Sequence, residues 1–221
     1  MVKVRVAHGA SKGPNTRVAR TPRPTFPAIT VDVCLFSIQE DQSKLLVVKR
    51  KNAPFKGGLA LPGGFLEPKE EIEDSARREL LEETGLEAGT LLEIGAFGKV
   101  GRDPRGRTIS IVYAGILLGD APEPDAGSDA ADCKWVSVAR PGKLAFDHKD
   151  VLKATLGTLR DRIETRGHLA DLLPKKFTMA ALRDVHVAFT GEDIDADAFA
   201  ARMRRDATVQ QQIQPVLCGS A

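Results

Sequence analysis

Three glutamate residues, Glu79, Glu82 and Glu83, stand at positions i, i+3 and i+4 of one short segment. On an α-helix this spacing places their carboxylates within an arc of about 100° on a single face. Like charges that lie so close repel one another, whereas hard divalent cations such as Mg²⁺ bind best to clustered carboxylate oxygens. The spacing therefore predicts a site for a divalent metal ion.

The alternative interpretation of this segment is a charged, solvent-facing helix whose acids pair with Arg77 and Arg78. Gly63 and Gly64 precede the helix and favour the metal site, because glycine permits close backbone approach and positive φ where a loop enters a helix. A backbone carbonyl at Gly63 could then supply a further oxygen ligand for the metal.

The helices and strands that must position these residues are predicted from the spacing of apolar residues and from the glycine residues that end them. A charged stretch at residues 70–84 that ends at Gly85 predicts a helix with a glycine C-cap. Apolar, β-branched runs predict strands at residues 29–36, 45–48, 91–97, 108–118 and 133–138, and residues 119–129 are typical of a loop. Strands on both sides of a helix predict an α/β protein with a mixed sheet.

The same segment matches a longer pattern. The pattern consists of Gly64, Glu70, Arg78-Glu79-Leu80, Glu82-Glu83 and Gly85-Leu86, with the spacing of the complete Nudix box. The chain therefore resembles the Nudix hydrolases, and the resemblance implies a Nudix α/β/α sandwich with a mixed sheet over residues 28–147.

The resemblance also implies roles for residues in the box. It implies that Gly63, Glu79, Glu82 and Glu83 hold Mg²⁺, with Mn²⁺ as an alternative, for attack of water on a phosphoanhydride. The catalytic set would be Glu79, Glu82 and Arg78, with either of the two glutamates as the general base. Arg78 would pair with a neighbouring acid and hold the loop against the helix.

The residues around the box indicate the substrate. Residues 53–57, 60–65 and 101–107 resemble the ADP-ribose pyrophosphatase branch of the family, so ADP-ribose or a related nucleoside diphosphate derivative is the expected substrate. Arg102, Arg105 and Arg107 would bind its phosphates, because guanidinium groups bind phosphate bidentately; the alternative is a plain surface turn. Tyr113, Phe97 and Trp135 are candidates to contact the adenine, although each lies in a predicted strand, where core packing is the more common role.

The C-terminal part predicts a connecting helix at residues 148–166 and a small unit at 167–221. Residues 144–148, 177–185 and 194–199 resemble NrtR-type regulators of NAD metabolism, which join a Nudix domain to a winged-helix DNA-binding unit. The resemblance implies an alternative function, a transcriptional regulator that senses ADP-ribose and binds promoter DNA. The basic residues that could contact DNA are Lys175, Lys176, Arg202, Arg204 and Arg205.

Charge argues against strong DNA binding by this unit. Residues 168–221 contain six basic and seven acidic side chains, so the unit is not basic overall. A third interpretation is that the C-terminal helices form an assembly module on a hydrolase. We also expect the chain to form a homodimer.

The composition of the chain limits the partners that we expect it to bind. Thirty-two basic and 30 acidic residues give a formal net charge of +2, so no whole-protein field attracts nucleic acid or an anionic membrane. We expect a cytoplasmic protein with no membrane partner and with structural thiols at Cys34, Cys133 and Cys218, preceded by a flexible basic tail at residues 1–27.

Overall fold

A computed structural model describes residues 26–39, 42–118, 123–125, 130–166 and 169–213. Nearly all of the tail predicted for residues 1–27, most of the loop predicted for residues 119–129, and Cys218 lie outside these ranges. None of the helices in the described ranges is both long and apolar enough to cross a membrane.

Seven strands form one mixed sheet within the described residues. Their bounds are Ala28–Gln39 (β1), Gln42–Arg50 (β2), Leu59–Ala60 (β3), Gly63–Phe65 (β4), Leu92–Phe97 (β5), Thr108–Leu117 (β6) and Ala130–Ser137 (β7). The strand order is β3-β2-β1-β6-β5, with β4 paired to β1 and β7 paired to β2. Because β1 runs parallel to β6 and antiparallel to β2 and β4, the mixed sheet that the sequence predicted is confirmed.

Helices cover the sheet. The longer ones are Ile72–Thr84 (α1), His148–Arg166 (α2) and Met179–Thr190 (α3), and the shorter ones are Ala196–Met203 (α4) and Ala207–Gln212 (α5). The predicted C-cap of α1 is confirmed, because Gly85 has φ 68° and its N–H donates to the carbonyl of Leu81. Thr178 and Asp195 cap the N-termini of α3 and α4 with their side-chain oxygens.

The alternation of apolar side chains on β1 creates two cores. Val31, Val33 and Leu35 pack in the core on the α1 side of the sheet. Cys34 and Phe36 point the other way, into a core that includes side chains from α2, α3 and α4. The α/β/α sandwich predicted from the sequence is therefore confirmed.

The second core does not stop at the boundary predicted between residues 147 and 148. It runs without interruption from the sheet, through Val151 and Leu159 of α2, to Leu182 and Phe189 of α3 and Phe199 of α4. The C-terminal helices therefore share one hydrophobic core with the sheet. A winged helix stays a prediction, since the described residues of this unit contain helices and one isolated β-bridge and no hairpin.

Candidate active site

One cavity of about 450 Å³ opens beside the N-terminal half of the box. It is bordered by β4, α1, the loop at residues 101–107 and the segment that enters α2. Its lining combines carboxylates, arginines and aromatic rings; among these are Asp32, Glu79, Glu83, Arg78, Arg102, Arg105, Phe65, Phe146 and His148. The cavity is therefore suited to an anionic, partly aromatic ligand bound together with a cation.

Two glycines bring the backbone of β4 against the glutamates of α1. A side chain at Gly64 would overlap the carboxylate of Glu79, so only glycine leaves that carboxylate in place. The N–H of Gly63 donates to Oε2 of Glu83 at 3.0 Å. The glycines that the sequence singled out thus fix the distance between the loop and the acidic face of the helix.

Arg78 ties the box together. Its Nε donates to Oε1 of Glu70 at 2.7 Å, and its Nη1 donates to Glu79 at 2.8 Å and Glu82 at 3.1 Å. Hydrogen bonds from Arg78 lower the pKa of Glu70 to about 2. The same guanidinium reaches the backbone carbonyl of Phe65 at 3.3 Å, so it joins the helix to β4 as the resemblance implied.

The positive charge around Glu79 and Glu83 does not offset the cost of burying their ionised carboxylates. Burial raises the pKa of Glu83 to about 7 in spite of the Gly63 N–H. Burial also raises the pKa of Glu79, and the neighbouring Arg78 opposes that effect only in part. A divalent cation at this face would stabilise both ionised carboxylates, so the chemistry of the donor set fits a metal ion.

The three glutamates are not preassembled as a ligand cage. Within the part of the chain that the structure describes, no group of three His, Cys, Asp or Glu side chains is close enough to hold a metal ion. Two of the glutamates, Glu79 and Glu82, share Arg78 as a partner. The Glu82 side chain is 53% exposed, so it is free to exchange Arg78 for a cation. Metal binding by the three glutamates and Gly63 stays a prediction.

The predicted phosphate-binding arginines occupy three different environments. Arg102 is buried, with its Nη2 2.8 Å from Asp147 and 3.3 Å from Asp32. Arg105 lines the cavity and is held by Asp103 at 2.7 Å. Arg107 is exposed, donates to the carbonyl of Gly98 and is not part of the cavity lining. Arg105 is the member of this set that is both accessible and on the cavity wall.

Sequence reasoning missed a buried polar cluster around Asp32. Its carboxylate accepts a short hydrogen bond from Ser110 and lies 3.5 Å from Nε2 of His148. The Nδ1 atom of His148 accepts the N–H of Leu61 at 2.9 Å, so the imidazole is fixed at both nitrogens. Burial lowers the pKa of His148, although Asp32 opposes this effect. Of these residues only His148 lies in a segment that the sequence singled out, residues 144–148, and no sequence pattern joined it to Asp32 because the members of the cluster are far apart in the chain.

The aromatic residues of the cavity are not those that the sequence suggested. Tyr113 is 5% exposed and belongs to the core on the α1 side of the sheet, and the partly buried Trp135 packs against that core. Phe97 packs against the opposite core. Phe65 and Phe146 line the cavity instead. Phe65 lies within the glycine-rich segment that the sequence singled out, and Phe146 lies within residues 144–148, which were singled out only for their resemblance to NrtR-type regulators.

The predicted DNA-binding residues are all exposed. Lys175 and Lys176 lie in the turn before α3, and Arg204 and Arg205 follow α4. Arg202 lies on α4 with its guanidinium 5.8 Å from the ring centroid of Phe199. Arg202 and Arg205 border a second cavity, between the end of α2 and the C-terminal helices, whereas the lysines do not.

This chain is similar to known proteins of one family. Residues 28–155 match the NUDIX domain family. The chain is 30% identical over 197 residues to the ADPR responsive transcriptional repressor NtrR of Acinetobacter baylyi, covering 87% of this chain and 78% of that protein. It is 43% identical over 127 residues to the ADP-ribose pyrophosphatase of Methanocaldococcus jannaschii, covering 58% of this chain and 72% of that protein.

Among solved structures, a MutT/nudix family protein from Enterococcus faecalis superposes with a TM-score of 0.72 at 29% identity, covering 84% of this chain and 83% of that one. The family match alone spans more than half of the chain, and two of these similarities extend into the C-terminal helices. The chain therefore belongs to the Nudix family and is related along most of its length to NrtR-type proteins.

Proposed function

We propose that this protein hydrolyses ADP-ribose, or a closely related nucleoside diphosphate derivative, to AMP and a sugar phosphate with the help of a divalent cation. The observation that carries the proposal is the acidic face of α1, where the crowded Glu79 and Glu83 are set against two glycines on the wall of the cavity. All of the carboxylates of the box are present in this chain, which favours turnover over ligand sensing alone.

Different residues of the chain have different roles in this reaction. Glu79, Glu82 and Glu83, with the backbone of Gly63, would hold Mg²⁺ or Mn²⁺, which when bound polarises phosphate oxygens and lowers the pKa of the attacking water. Arg78 orients Glu79 and Glu82 through its two hydrogen bonds. In this proposal, either of these glutamates would accept a proton as general base.

ADP-ribose is favoured as the substrate by two relatives. The archaeal protein that is 43% identical is an ADP-ribose pyrophosphatase, and the repressor from Acinetobacter baylyi is described as ADPR responsive. Within the cavity, Arg105 offers an accessible guanidinium for a phosphate. In this proposal Arg102 acts mainly by fixing Asp32 and Asp147, and Arg107 contributes from outside the cavity.

The proposed function is tested by incubating the purified chain with a panel of ADP-ribose, NADH, UDP-glucose and 8-oxo-dGTP in the presence of Mg²⁺ or Mn²⁺. Release of AMP and ribose 5-phosphate is expected with ADP-ribose, at a rate well above that of the other compounds. Glu82→Gln should abolish metal-dependent turnover, and Glu73→Gln is the matched control because Glu73 pairs with Arg77 on the same helix, away from the cavity. Unchanged kcat in Glu82→Gln would falsify the assignment.

A second candidate function is an ADP-ribose-sensing transcriptional regulator. It is favoured by the similarity to the Acinetobacter baylyi repressor, which extends over 87% of this chain and so includes the C-terminal helices. In this case Lys175, Lys176 and the arginines at 202, 204 and 205 would contact DNA phosphates. A winged helix built from the C-terminal unit would then carry the DNA-binding surface.

The two candidates are separated by a gel shift with promoter DNA, with and without ADP-ribose. From the excess of acidic residues in the unit we expect weak DNA binding that falls steeply with salt. Nanomolar, sequence-selective binding at physiological salt would favour the regulator. An assembly module is the remaining possibility; a homodimer that is lost when the C-terminal helices are altered, without any DNA binding, would identify it.

A further inference from the structure

We propose that Phe65, Phe146 and Arg105 form a stacking site for the nucleobase of the ligand, so that the cavity selects purine nucleotides by surface area. This inference rests on the proposed function, since it concerns the same cavity. All three side chains line that cavity together with Glu79 and Glu83. A ligand that reaches both groups would present a phosphate to the cation that the acids would hold and a flat ring to the aromatic residues.

Phe65 provides the exposed face of this site. Its side chain is 49% exposed, although it lies on β4 directly after the two glycines of the box. A large apolar ring left in contact with water is unfavourable, and on a cavity wall it marks a place where a ligand excludes that water. The carbonyl of Phe65 accepts a hydrogen bond from Arg78, so the backbone at Phe65 is tied to the same guanidinium that binds Glu79.

Phe146 provides a second ring in a strained backbone conformation. It has φ 52°, and Phe55, whose ring centroid lies 4.9 Å away, has φ 61°. Positive φ is unfavourable in bulky residues and is found mostly at functional sites. The Phe146 ring also lies under the guanidinium of Arg50 at 4.7 Å and beside the ring of His148 at 5.3 Å. Its position is therefore determined from several sides.

Arg105 joins the two rings. Its guanidinium carbon lies 5.3 Å from the centroid of Phe65 and 5.7 Å from that of Phe146, and the buried Asp103 holds it there. Guanidinium groups and nucleobases are both planar and both stack on aromatic rings. The guanidinium now lies too close to Phe65 for a base to fit between them. The Arg105 side chain is 44% exposed, so a base that stacks on Phe65 displaces its guanidinium, which then covers the other face of the base.

Stacking of this kind predicts a particular selectivity. The faces of the rings and of the guanidinium make no hydrogen bonds that read the edge of a base, so they distinguish bases by stacking area more than by identity. We therefore expect adenine and other purine nucleotides to bind several-fold more tightly than the matching pyrimidine nucleotides. The affinity for ribose 5-phosphate, which has no base, should not depend on this site.

The test compares AMP with ribose 5-phosphate by calorimetry on the full chain in the presence of Mg²⁺. Neither ligand contains a phosphoanhydride, so the test does not depend on catalysis. Phe65→Ala should weaken AMP binding about 10-fold, within the range expected for loss of one base–aromatic stack, and leave ribose 5-phosphate binding unchanged. Phe65→Trp should restore AMP binding. Phe26→Ala is the matched control, because Phe26 is 83% exposed and does not line the cavity.

The possible results separate the inference from the proposed function. Wild-type AMP affinity in Phe65→Ala would overturn the stacking site, and so would an equal loss for AMP and ribose 5-phosphate, which would indicate general damage to the cavity. If the wild-type chain hydrolyses ADP-ribose while Phe65→Ala keeps its KM, the function stands and the stacking site fails. If the wild-type chain hydrolyses nothing but Phe65→Ala still loses AMP selectively, the stacking site stands in a protein that only binds its ligand.

Discussion

The ring of Phe36 on β1 meets the ring of Phe189 on α3 edge-on, with centroids 5.2 Å apart and an interplanar angle of 90°. Neither side chain is more than 2% exposed. An edge-to-face pair of this kind stabilises the contact beyond its buried area. The central strand of the Nudix fold and a helix of the C-terminal unit are therefore packed as parts of one core.

Phe189→Ala is expected to destabilise the whole chain and not only its C-terminal end. Removing a buried phenylalanine costs about 3–5 kcal/mol, because the apolar contacts are lost and a cavity is left. The single tryptophan, Trp135, lies in β7 of the sheet and reports unfolding there by fluorescence, while far-UV circular dichroism follows the helices. Both signals should shift to lower urea by the same amount.

Val100→Ala is the control for this experiment, because Val100 is 83% exposed and its truncation should leave both midpoints in place. If Phe189→Ala shifts the helical signal and leaves the Trp135 transition where it is, the C-terminal unit unfolds on its own and the shared core contributes little to the sheet.

Gly64→Ala tests the close approach of β4 to α1. The added methyl group would overlap the carboxylate of Glu79, and the carboxylate can move away because it is the end of a flexible side chain. We therefore expect a folded protein whose kcat for ADP-ribose falls about 100-fold, the usual effect of misplacing a reacting group by about 1 Å. Steady-state kinetics and a thermal melt together check this outcome.

Gly157→Ala is the matched substitution for Gly64→Ala. Gly157 lies in the interior of α2 with no atom within 4 Å of the position of a Cβ, so alanine should raise stability by about 0.5–1 kcal/mol and leave kcat unchanged. Equal activity in the two variants would show that the Glu79 carboxylate does not have to lie against Gly64.

Arg102→Met is expected to lower the free energy of unfolding, because Arg102 contributes mainly to the fold and less to phosphate binding. The substitution leaves Asp32 and Asp147 without their shared buried cation, and breaking a buried ion pair in this way costs about 3–5 kcal/mol. The same change at the exposed Arg107 should alter stability by about 0.5 kcal/mol or less. Urea unfolding of both variants measures the difference; comparable losses in the two would contradict the structural role given to Arg102.

The elements of the fold could largely be predicted from the sequence because their signals are local. The periodicity of α1, its C-cap at Gly85 and the alternation along β1 each lie within a single segment, and the structure confirms them. By contrast β3 and β4, only two and three residues long, are not among the strands that the sequence predicts. Strands so short carry no alternation, and only their pairing with β2 and β1 defines them.

The candidate site divides in the same way. Residues of the box lie on one helix and one adjoining turn, so spacing alone brought Glu79, Glu82 and Glu83 to one face. The buried cluster joins Asp32 to Ser110 and His148, which are 78 or more positions away in the chain. No pattern along the sequence can predict such contacts. The three arginines of the 101–107 loop looked equivalent in sequence, and only burial separates Arg102 from Arg105.

The charge of Glu83 makes the stability of the metal-free protein depend on pH. Burial raises the pKa of Glu83 from its ordinary value of 4.5 to about 7, so the folded chain holds this proton more tightly than the unfolded chain. The contribution of the protonated carboxyl to stability is therefore complete below the lower value and is lost as the pH rises to the upper one. Glu83→Gln keeps an acceptor for Gly63 but cannot ionise, so in EDTA its Tm should exceed that of wild type increasingly from about pH 5 to about pH 8.

A divalent cation should reverse the order of the Tm values of wild type and Glu83→Gln, because the ionised carboxylate is the form that binds metal. Added Mg²⁺ or Mn²⁺ at about pH 8 is expected to raise the Tm of wild type and to have little effect on Glu83→Gln, since only the wild-type site gains a ligand that binds the folded state. Glu73→Gln, on the exposed part of α1, should behave as wild type in both conditions. A difference in Tm between wild type and Glu83→Gln that does not change with pH in EDTA would mean that Glu83 is already ionised without penalty in the absence of metal, and the electrostatic reason for placing a cation beside it would be lost.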